Sequence, residues 1–303
     1  MFQRQTTGSV VCPNCGRLVG VLEPRCLQCG RPRPGLWGYG PAIQKLTGNM
    51  RFGDVVMWGC ILMLLASLLY DVEGIRSHGL LSLFAPSTTA SFVFGDSGAI
   101  PVFFFGRWWT VLSASFLHGG LLHIGFNLYY LRFLLPATEE QFGIGRTIMI
   151  YTAASVAGFG LTSFVNFLVL RGAIPAIPRL MGAPFTLGAS ASLCGLLGAL
   201  WVMSRVTGRT WASRQIVQAA IFILVIGFLI PGIDNLAHIG GFVGGAVAAK
   251  LLRPLHEENI YHLAGGLLCM VAFFLSIAAS IFLGLEQKEI FQQFMHVNLP
   301  GWL

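Results

Sequence analysis

Charged side chains are scarce in this chain: Asp, Glu, Lys and Arg together make up 10% of the 303 residues, whereas apolar residues make up 55%. A water-soluble globule of this length needs more polar surface than that composition supplies, and the mean hydropathy of +0.72 points the same way. The scarcity of charge therefore excludes an ordinary soluble domain. It predicts an all-α polytopic membrane protein.

The first fifty residues lack the apolar core of a cleavable signal peptide, because they are polar and rich in arginine. We therefore expect no secretory leader. Further along, long stretches lack charge, and a helix of about 20 residues crosses a bilayer core of roughly 30 Å. Seven segments can span the membrane or nearly so: 55–70, 108–131, 147–170, 180–204, 215–233, 235–249 and 259–285.

Basic residues are distributed unequally between the loops that separate these segments. If the N-terminus is cytoplasmic, fourteen of the 19 Lys and Arg residues fall on that side, and the other side receives only Arg76, Arg107, Arg171, Arg179 and Lys288. This bias follows the positive-inside rule. We expect a protein of the plasma (inner) membrane with a cytoplasmic N-terminus. Its net charge of +7 reflects that topology, so we expect the lipid bilayer and no nucleic acid as its partner.

Four of the seven cysteines form two CxxC pairs, Cys12/Cys15 and Cys26/Cys29, each followed by a glycine that permits a tight turn. Four thiolates on two such turns are typical of a zinc ribbon. The alternatives are two disulfides, which a reducing cytoplasm disfavours, and a redox-active motif, which its duplication disfavours. We predict a structural zinc ion held by all four cysteines, and leave open a soluble partner of this module.

Composition divides the chain into four parts. We assign 1–33 to the cytoplasmic zinc ribbon, 34–50 to a linker rich in Pro and Gly, 51–285 to the membrane domain and 286–303 to a C-terminal tail. Within the membrane domain, the connection 72–107 is too apolar for a solvated loop. We expect it to lie partly in the membrane interface with Trp108 and Trp109 as anchors; the alternative is amphipathic filler.

Polar residues are rare in the predicted spans, and two of them share one face of the second span. His123 and Asn127 are four residues apart, so their side chains point in the same direction within the hydrocarbon. A lone histidine could equally join two helices. A histidine and an asparagine at one level supply the two donors that a developing oxyanion needs. We expect His118 on the approach to this pair, nearer the surface.

Two adjacent carboxylates, Glu139 and Glu140, follow at the far end of the same segment. We interpret this point as the place where the helix turns back on the cytoplasmic side. We expect the carboxylates to pair with Arg132 or Arg146.

No charged residue lies between Arg179 and Arg205, and small residues surround Ser190 within this apolar segment. Glycine and alanine on one helix face let another helix approach to backbone distance. One interpretation is packing alone. The other is that a functional group comes close to Ser190.

The sixth span supplies a candidate for that group, His238. From Ser190 to Arg205 is about 22 Å of helix, and from His238 to Lys250 is about 18 Å. If the two cations mark one membrane boundary, Ser190 and His238 lie at a similar depth, and the same count places the His/Asn pair of the second span there as well. Three helices are therefore predicted to converge on one layer.

The residues around His238 suggest how this helix packs. Overlapping pairs, Gly240/Gly244 and Gly241/Gly245, predict that it lies against the bare face of the fourth span. Asp234, four residues before the histidine, either orients the imidazole ring or caps the helix N-terminus, and we favour the cap.

A serine beside a histidine, with a separate pair of donors, is the arrangement used for acyl transfer. The histidine accepts the serine proton as the hydroxyl oxygen attacks a carbonyl, and then returns the proton to the leaving amine. The sequence therefore predicts a peptide hydrolase that acts within the membrane through Ser190 and His238.

Over about residues 50–285 the chain resembles the rhomboid family of intramembrane serine proteases. The resemblance is carried by HxxxN at His123–Asn127, GASA around Ser190 and AHIGGFVGG around His238, in the family's order. It implies a six-helix core, with an added seventh helix here, and a Ser190/His238 dyad. It also implies an oxyanion site made by His123, Asn127 and the backbone N–H of Ser190, no cofactor for catalysis, and cleavage of single-span membrane proteins near their extracytoplasmic end.

Two positions depart from the family pattern. A motif usually reading Trp-Arg is Trp109-Thr110 here, which removes an expected loop-bracing cation. The aromatic residue usual four positions after the serine is Cys194.

Two other functions remain open from the sequence. One is a catalytically silent rhomboid-like protein that binds or scaffolds client proteins, and a serine-directed probe would separate it from a protease. A transporter is more distant, because the spans lack charged residues along a pathway and paired broken helices.

Overall fold

The computed structural model describes residues 4–42, 51–76 and 83–298. Over these ranges the chain is mainly helical, with one small antiparallel sheet near the N-terminus. The strands are β1 (Ser9–Val11) and β2 (Leu18–Gly20), and the helices are α1 (Phe52–Tyr70), α2 (Thr88–Phe94), α3 (Thr110–Ser113), α4 (Leu121–Phe142), α5 (Ile144–Leu170), α6 (Ser190–Val206), α7 (Thr210–Leu229), α8 (Asn235–Leu251) and α9 (Ile260–Asn298).

The helices identify an integral membrane protein. Helices α1, α5, α7 and α9 are each long and apolar enough to cross a bilayer, and α4 gives a fifth span when it is joined to the bent segment Thr110–Phe116. Helix α6 is apolar but shorter. The predicted all-α membrane fold is confirmed, and each of the seven predicted segments overlaps one of the seven helices α1 and α4–α9.

Two predicted spans begin too early. Segment 108–131 is interrupted, because the chain bends by 93° between Thr110–Phe116 and α4. Gly120 makes that turn with φ at +137°, a conformation that residues with a β-carbon rarely adopt. Segment 180–204 is helical only from Ser190 onward, after Gly188 turns with φ at +125°. Both glycines thus set where a helix starts, and each of those helix starts carries candidate site residues.

Helix α8 lies between α5 and α6, and its glycines serve both neighbours. A β-carbon at Gly241 would collide with the carbonyl oxygen of Ala191 on α6. Gly240 and Gly244 instead face Ala157 on α5. The prediction that paired glycines bring this helix against α6 is therefore right for one pair, while the other pair packs on α5.

The connection 72–107 packs into the protein more deeply than an interfacial loop. Helix α2 is buried along its whole length, and the ring of Phe92 stacks on Phe291 of α9 with centroids 3.9 Å apart. Trp108 is 70% exposed, as a membrane anchor would be, but Trp109 turns inward and donates from Nε1 to Ser280 Oγ at 3.1 Å. Residues 77–82 lie outside the described residues.

The predicted C-terminal tail, 286–303, is not separate from the membrane domain as far as Asn298. Helix α9 runs unbroken from Ile260 to Asn298, so the predicted boundary at 285 falls inside it. The reason is packing, because Phe291 and Met295 are fully buried against Phe92 and Ile100. Residues 299–303 lie outside the described residues.

The N-terminal module extends beyond residue 33. The turn Leu36–Gly38 packs back on the start of the chain, where Gln5 N donates to Gly38 O at 2.8 Å and Arg4 Nε donates to Trp37 O at 2.8 Å. The first part of the predicted linker, 34–50, therefore belongs to the ribbon, and residues 43–50 lie outside the described residues.

Candidate functional site

The imidazole of His238 contacts the hydroxyl of Ser190. Nε2 of His238 lies 2.9 Å from Ser190 Oγ, which is hydrogen-bond distance. Ser190 is the first residue of α6, and His238 lies in the first turn of α8. Both helices start at the same level, so the two side chains meet where the helices begin.

Close packing between α6 and α8 fixes this contact. Gly241 lies three residues after His238, and Ala191 follows Ser190; a β-carbon on Gly241 would collide with the carbonyl oxygen of Ala191. The two backbones therefore touch within a turn of the Ser190 and His238 side chains. Cys194, one turn below Ser190, is buried in the same layer and is 5% exposed.

Asp234 caps α8 and does not act on the histidine. Its Oδ1 accepts from Ala237 N at 3.1 Å, and its Oδ2 accepts from Thr162 Oγ1 at 2.7 Å. Nδ1 of His238 is buried and meets no protein hydrogen-bond partner among the described residues. Asp234 thus occupies the capping position that we favour from the sequence.

His123 presents an N–H group beside the serine. Gly119 N donates to His123 Nδ1 at 3.3 Å, so Nδ1 is the acceptor and Nε2 carries the proton. Nε2 lies 2.6 Å from the point where a β-carbon on Gly188 would stand, and Ser190 Oγ lies 3.7 Å from that same point. Only a glycine leaves this space open between the donor and the hydroxyl.

The start of α6 also supplies backbone donors. The first N–H groups of a helix have no acceptor within the helix and carry its positive dipole end. Ser190 is the first residue of α6, so its own N–H belongs to this set. An oxyanion formed on the oxygen of a carbonyl next to Ser190 Oγ would meet this dipole as well as His123.

Asn127 is buried one turn below His123. Its Nδ2 donates to the carbonyl oxygen of His123 at 3.0 Å, so one of its two N–H groups is used within α4. The second N–H of Asn127 remains available as the oxyanion donor that the sequence predicts. The structure brings Asn127 next to His123, and no contact joins it to Ser190 or His238 in the described residues.

His118 differs from our expectation of a position nearer the surface. It is 1% exposed, and its ring packs edge-on against His123 with centroids 5.1 Å apart. It lies in the turn between the segment Ala114–Phe116 and α4, and its contact with the His123 ring helps to hold that ring in place.

The connection before α3 has a bracing cation that we expected it to lack. Arg107 is fully buried; it donates from Nη2 to Ser280 O at 2.8 Å and from Nη1 to Phe92 O at 2.5 Å. Its guanidinium also lies over the Phe92 ring, 4.1 Å from the centroid. The absence of arginine at Thr110 is therefore compensated three residues earlier.

A buried carboxyl accompanies this arginine. Asp96 is 1% exposed, and burial raises its pKa to about 8, although the guanidinium groups of Arg107 and Arg76 oppose the rise. The loop that leads into the site thus contains a carboxyl that titrates near neutral pH.

The four cysteines of the N-terminal module come together as predicted. Their Sγ atoms all lie within 4.8 Å of one another, and the Cys12–Cys29 and Cys15–Cys26 pairs are both 3.7 Å apart. Tetrahedral coordination with Zn–S bonds of about 2.3 Å places sulfur atoms about 3.8 Å apart, so the cluster fits a zinc ion. The backbone N–H of Cys29 lowers the pKa of the Cys26 thiol to about 7, while burial raises that of Cys12 to about 12.

Sequence reasoning missed three contributors to the site region. From the sequence, Gly188 is only a small residue at a helix mouth, because its positive φ has no sequence signature beyond glycine itself. Arg107 could have been found, because a lone cation between Phe105 and Trp108 in an apolar stretch needs partners. Ser280, its partner on α9, gave no signal.

Comparisons with known proteins show which family this part of the chain resembles. Residues 105–255, which include both candidate donors, Ser190 and His238, match the family model of the rhomboid domain. The chain is 35% identical over 152 residues to "Rhomboid protease GluP" of Bacillus subtilis, covering 48% of this chain and 26% of that protein. It is 32% identical over 154 residues to "RHOMBOID-like protein 4" of Arabidopsis thaliana, covering 48% of this chain and 35% of that protein.

A fungal relative belongs to the same group. The chain is 31% identical over 146 residues to "Rhomboid-type serine protease 2" of Emericella nidulans, covering 46% of this chain and 26% of that protein. The chain thus spans between 26% and 35% of the length of these three relatives. The similarity concerns the membrane domain, and the cysteine module lies outside the matched residues.

Proposed function

Through residues 105–255 the chain belongs to the rhomboid family, and we propose that it is an intramembrane serine endopeptidase that cleaves single-span membrane proteins near their extracytoplasmic end. Two of its relatives are named as a rhomboid protease and a rhomboid-type serine protease. The observation that carries the proposal is the 2.9 Å contact between Ser190 Oγ and His238 Nε2.

The first chemical step follows from this contact. Ser190 Oγ attacks the carbonyl carbon of a peptide bond while His238 Nε2 takes the hydroxyl proton. The carbonyl oxygen becomes an oxyanion in the space beside Gly188, where the Nε2–H of His123 and the N–H of Ser190 donate to it. Asn127 supports His123 and supplies a further donor through its second N–H.

Collapse of this intermediate completes acylation. The bond from the carbonyl carbon to nitrogen breaks, and the leaving amine takes the proton from His238. The acyl group remains as an ester on Ser190. Water then attacks the ester with His238 again acting as base, which releases the new carboxyl end and restores the serine hydroxyl. His238 needs no third residue for these steps.

The substrate class follows from where the dyad lies. Ser190 and His238 both lie at helix starts within a bundle of membrane helices, so the peptide must reach them from the bilayer or its surface. Helix α7 packs loosely on the bundle, because it buries only Ser213 and Gly227 and presents apolar side chains outward, and we propose that the substrate enters along it. A substrate segment must also expose its carbonyls, which an intact helix keeps in its own hydrogen bonds.

We place the protein in the plasma membrane with its N-terminus in the cytoplasm. The unequal distribution of Lys and Arg supports this orientation. The zinc ribbon then lies in a reducing compartment, where its four cysteines form no disulfides and can bind a metal ion.

A second candidate function is a catalytically silent relative that binds client helices. The family match alone favours neither, but the contact between Ser190 and His238 and the position of His123 beside Gly188 support the protease. The test is purified protein in lipid vesicles with a single-span substrate whose helix is weakened by Gly or Pro. The protease predicts defined cleavage near one end of the span, whereas binding without cleavage favours the silent relative.

A further inference from the structure

The two zinc knuckles place two arginines in equivalent positions. The motif Cys-x-x-Cys-Gly-Arg ends at Arg17 in the first knuckle and at Arg31 in the second. The backbone relation is also the same: Cys12 N donates to Arg17 O at 2.8 Å, and Cys26 N donates to Arg31 O at 2.9 Å. Their surroundings differ completely, because Arg17 is exposed and Arg31 is buried.

Arg31 is buried because it pairs with the membrane domain. Its Nη2 lies 3.2 Å from Glu139 Oε2 near the end of α4, and the two side chains are 10% and 3% exposed. From the sequence we expect Glu139 to pair with Arg132 or Arg146, but in the structure it pairs with Arg31. A buried pair at an interface is costly to break on one side, since the remaining charge loses its partner.

The last turns of α4 are joined to the rest of the helix by one hydrogen bond fewer than usual. Pro136 lies within α4 and lacks an N–H, so the bond from residue 136 to the carbonyl oxygen of Arg132 is missing. Glu139 lies in the turn that follows this gap. An ion pair from the ribbon to Glu139 therefore holds a turn that the helix itself holds less firmly.

Other contacts join the ribbon to the same end of the bundle. Arg33 Nη2 lies 3.3 Å from Glu257 Oε2, in the loop between α8 and α9. Arg51, which precedes α1, donates to the carbonyl oxygen of Pro13 in the first knuckle. The ribbon thus contacts α1, α4 and the loop after α8, all at the end remote from Ser190.

The position of Arg31 depends on the second knuckle. The bond from Cys26 N to Arg31 O and the bond from Gly30 N to Cys26 O, at 2.9 Å, close the turn whose two cysteines face the metal. A small module with a two-stranded sheet of three residues each has too little core to hold this turn alone. Metal binding by the four cysteines would therefore fix Arg31.

We propose that the four-cysteine module is a metal-dependent clamp on the end of the membrane bundle. With metal bound, the second knuckle holds Arg31 against Glu139 and orders the last turns of α4. Without metal, the ion pair is lost and these turns open locally. The clamp regulates the site because α4 carries His123 and Asn127 at its other end, and this last step rests on the proposed function.

Amide hydrogen exchange of the full-length protein in detergent micelles tests the clamp without any activity measurement. Exchange is followed at 137–142 of α4 and at 252–258, with zinc bound and after chelation, and the zinc content is measured in each sample. In the wild type, chelation should speed exchange at 137–142 by roughly tenfold or more. Arg31→Gln and Glu139→Gln should speed it with zinc still bound, and chelation should then add little.

Arg17→Gln is the matched control, because it removes the equivalent arginine of the other knuckle. It should bind zinc and respond to chelation as the wild type does. The clamp is overturned if chelation removes the zinc and leaves exchange at 137–142 unchanged, or if Arg31→Gln behaves as Arg17→Gln does. A protein that shows the exchange response but cleaves no substrate would keep the clamp and refute the proposed function.

Discussion

Nε2 of His123 lies 2.6 Å from the point that a β-carbon on Gly188 would occupy. That separation is shorter than real β-carbons show, so any side chain at this position must displace the imidazole. Gly188 also has φ at +125°, which independently favours glycine. The space between His123 Nε2 and Ser190 Oγ exists because residue 188 has no side chain.

Gly188→Ala should therefore abolish most activity. The methyl group fills the place of the oxyanion and pushes His123 away, and a lost donor of this kind costs on the order of 10²–10³ in kcat. Gly172→Ala is the control, since Gly172 also has positive φ, at +69°, but nothing lies near its added β-carbon. The measurement is the cleavage rate of Gly188→Ala and of Gly172→Ala, each normalised to the amount of folded protein. Equal rates for the two variants would show that the space at Gly188 is not used.

His123→Ala and Asn127→Ala should lower kcat while the dyad stays formed. His123 has the larger predicted effect, on the order of 10²–10³, because its N–H faces Gly188 directly. Asn127 spends one N–H on the His123 carbonyl, so we expect a smaller loss from its removal. Steady-state cleavage and labelling by a small fluorophosphonate are measured side by side. A normal kcat in His123→Ala would remove it from the oxyanion site.

Arg107→Gln should destabilise the loop between α2 and α3. The guanidinium makes two hydrogen bonds to buried carbonyls, and bonds to charged groups contribute about 1.5–3 kcal/mol each. We expect a lower thermal midpoint in detergent and faster proteolysis of the loop. Arg171→Gln, an exposed arginine at the end of α5, should leave both unchanged. An unaltered midpoint in Arg107→Gln would contradict the bracing role.

Asp96 should make stability depend on pH. Its pKa in the fold, about 8, lies above its ordinary value of 3.8, so the folded state binds more protons between these values. The stability linked to this group is complete below about pH 4 and falls as the pH rises toward 8. Between pH 6 and 8 the loss should be roughly 2 kcal/mol, and Asp96→Asn should remove it. The measurement is the thermal midpoint of the wild type and of Asp96→Asn between pH 6 and 8. If the midpoint changes with pH equally in both proteins, Asp96 is not the titrating group.

Much of the site could be predicted because its residues carry local patterns. The CxxC pairs predict a four-cysteine cluster, and the spacing of His123 and Asn127 predicts a shared helix face. Ser190 and His238 were placed at one depth by counting residues to the nearest cations, and the structure gives a contact of 2.9 Å between them. Helical periodicity and the positions of charged residues are sufficient for these predictions, because each prediction depends only on residues nearby in the chain.

What escaped prediction depends on contacts between distant segments. Arg31 and Glu139 are 108 residues apart, and nothing near either residue selects the other. Arg107 and Ser280 are 173 residues apart. The starts of α4 and α6 were predicted too early because glycine turns within apolar sequence do not change its hydropathy. Pairing partners and helix starts inside apolar stretches therefore needed the fold.

The most direct test of the central assignment is covalent labelling by a fluorophosphonate combined with substrate cleavage. Wild-type protein should be labelled on Ser190, identified by mass spectrometry, and should cut the weakened single-span substrate. Ser190→Ala should lose both, and His238→Ala should lose cleavage and label far more slowly, because its serine keeps no base. Cleavage by Ser190→Ala at the wild-type rate, or a wild type that neither labels nor cuts any substrate tested, would contradict the account.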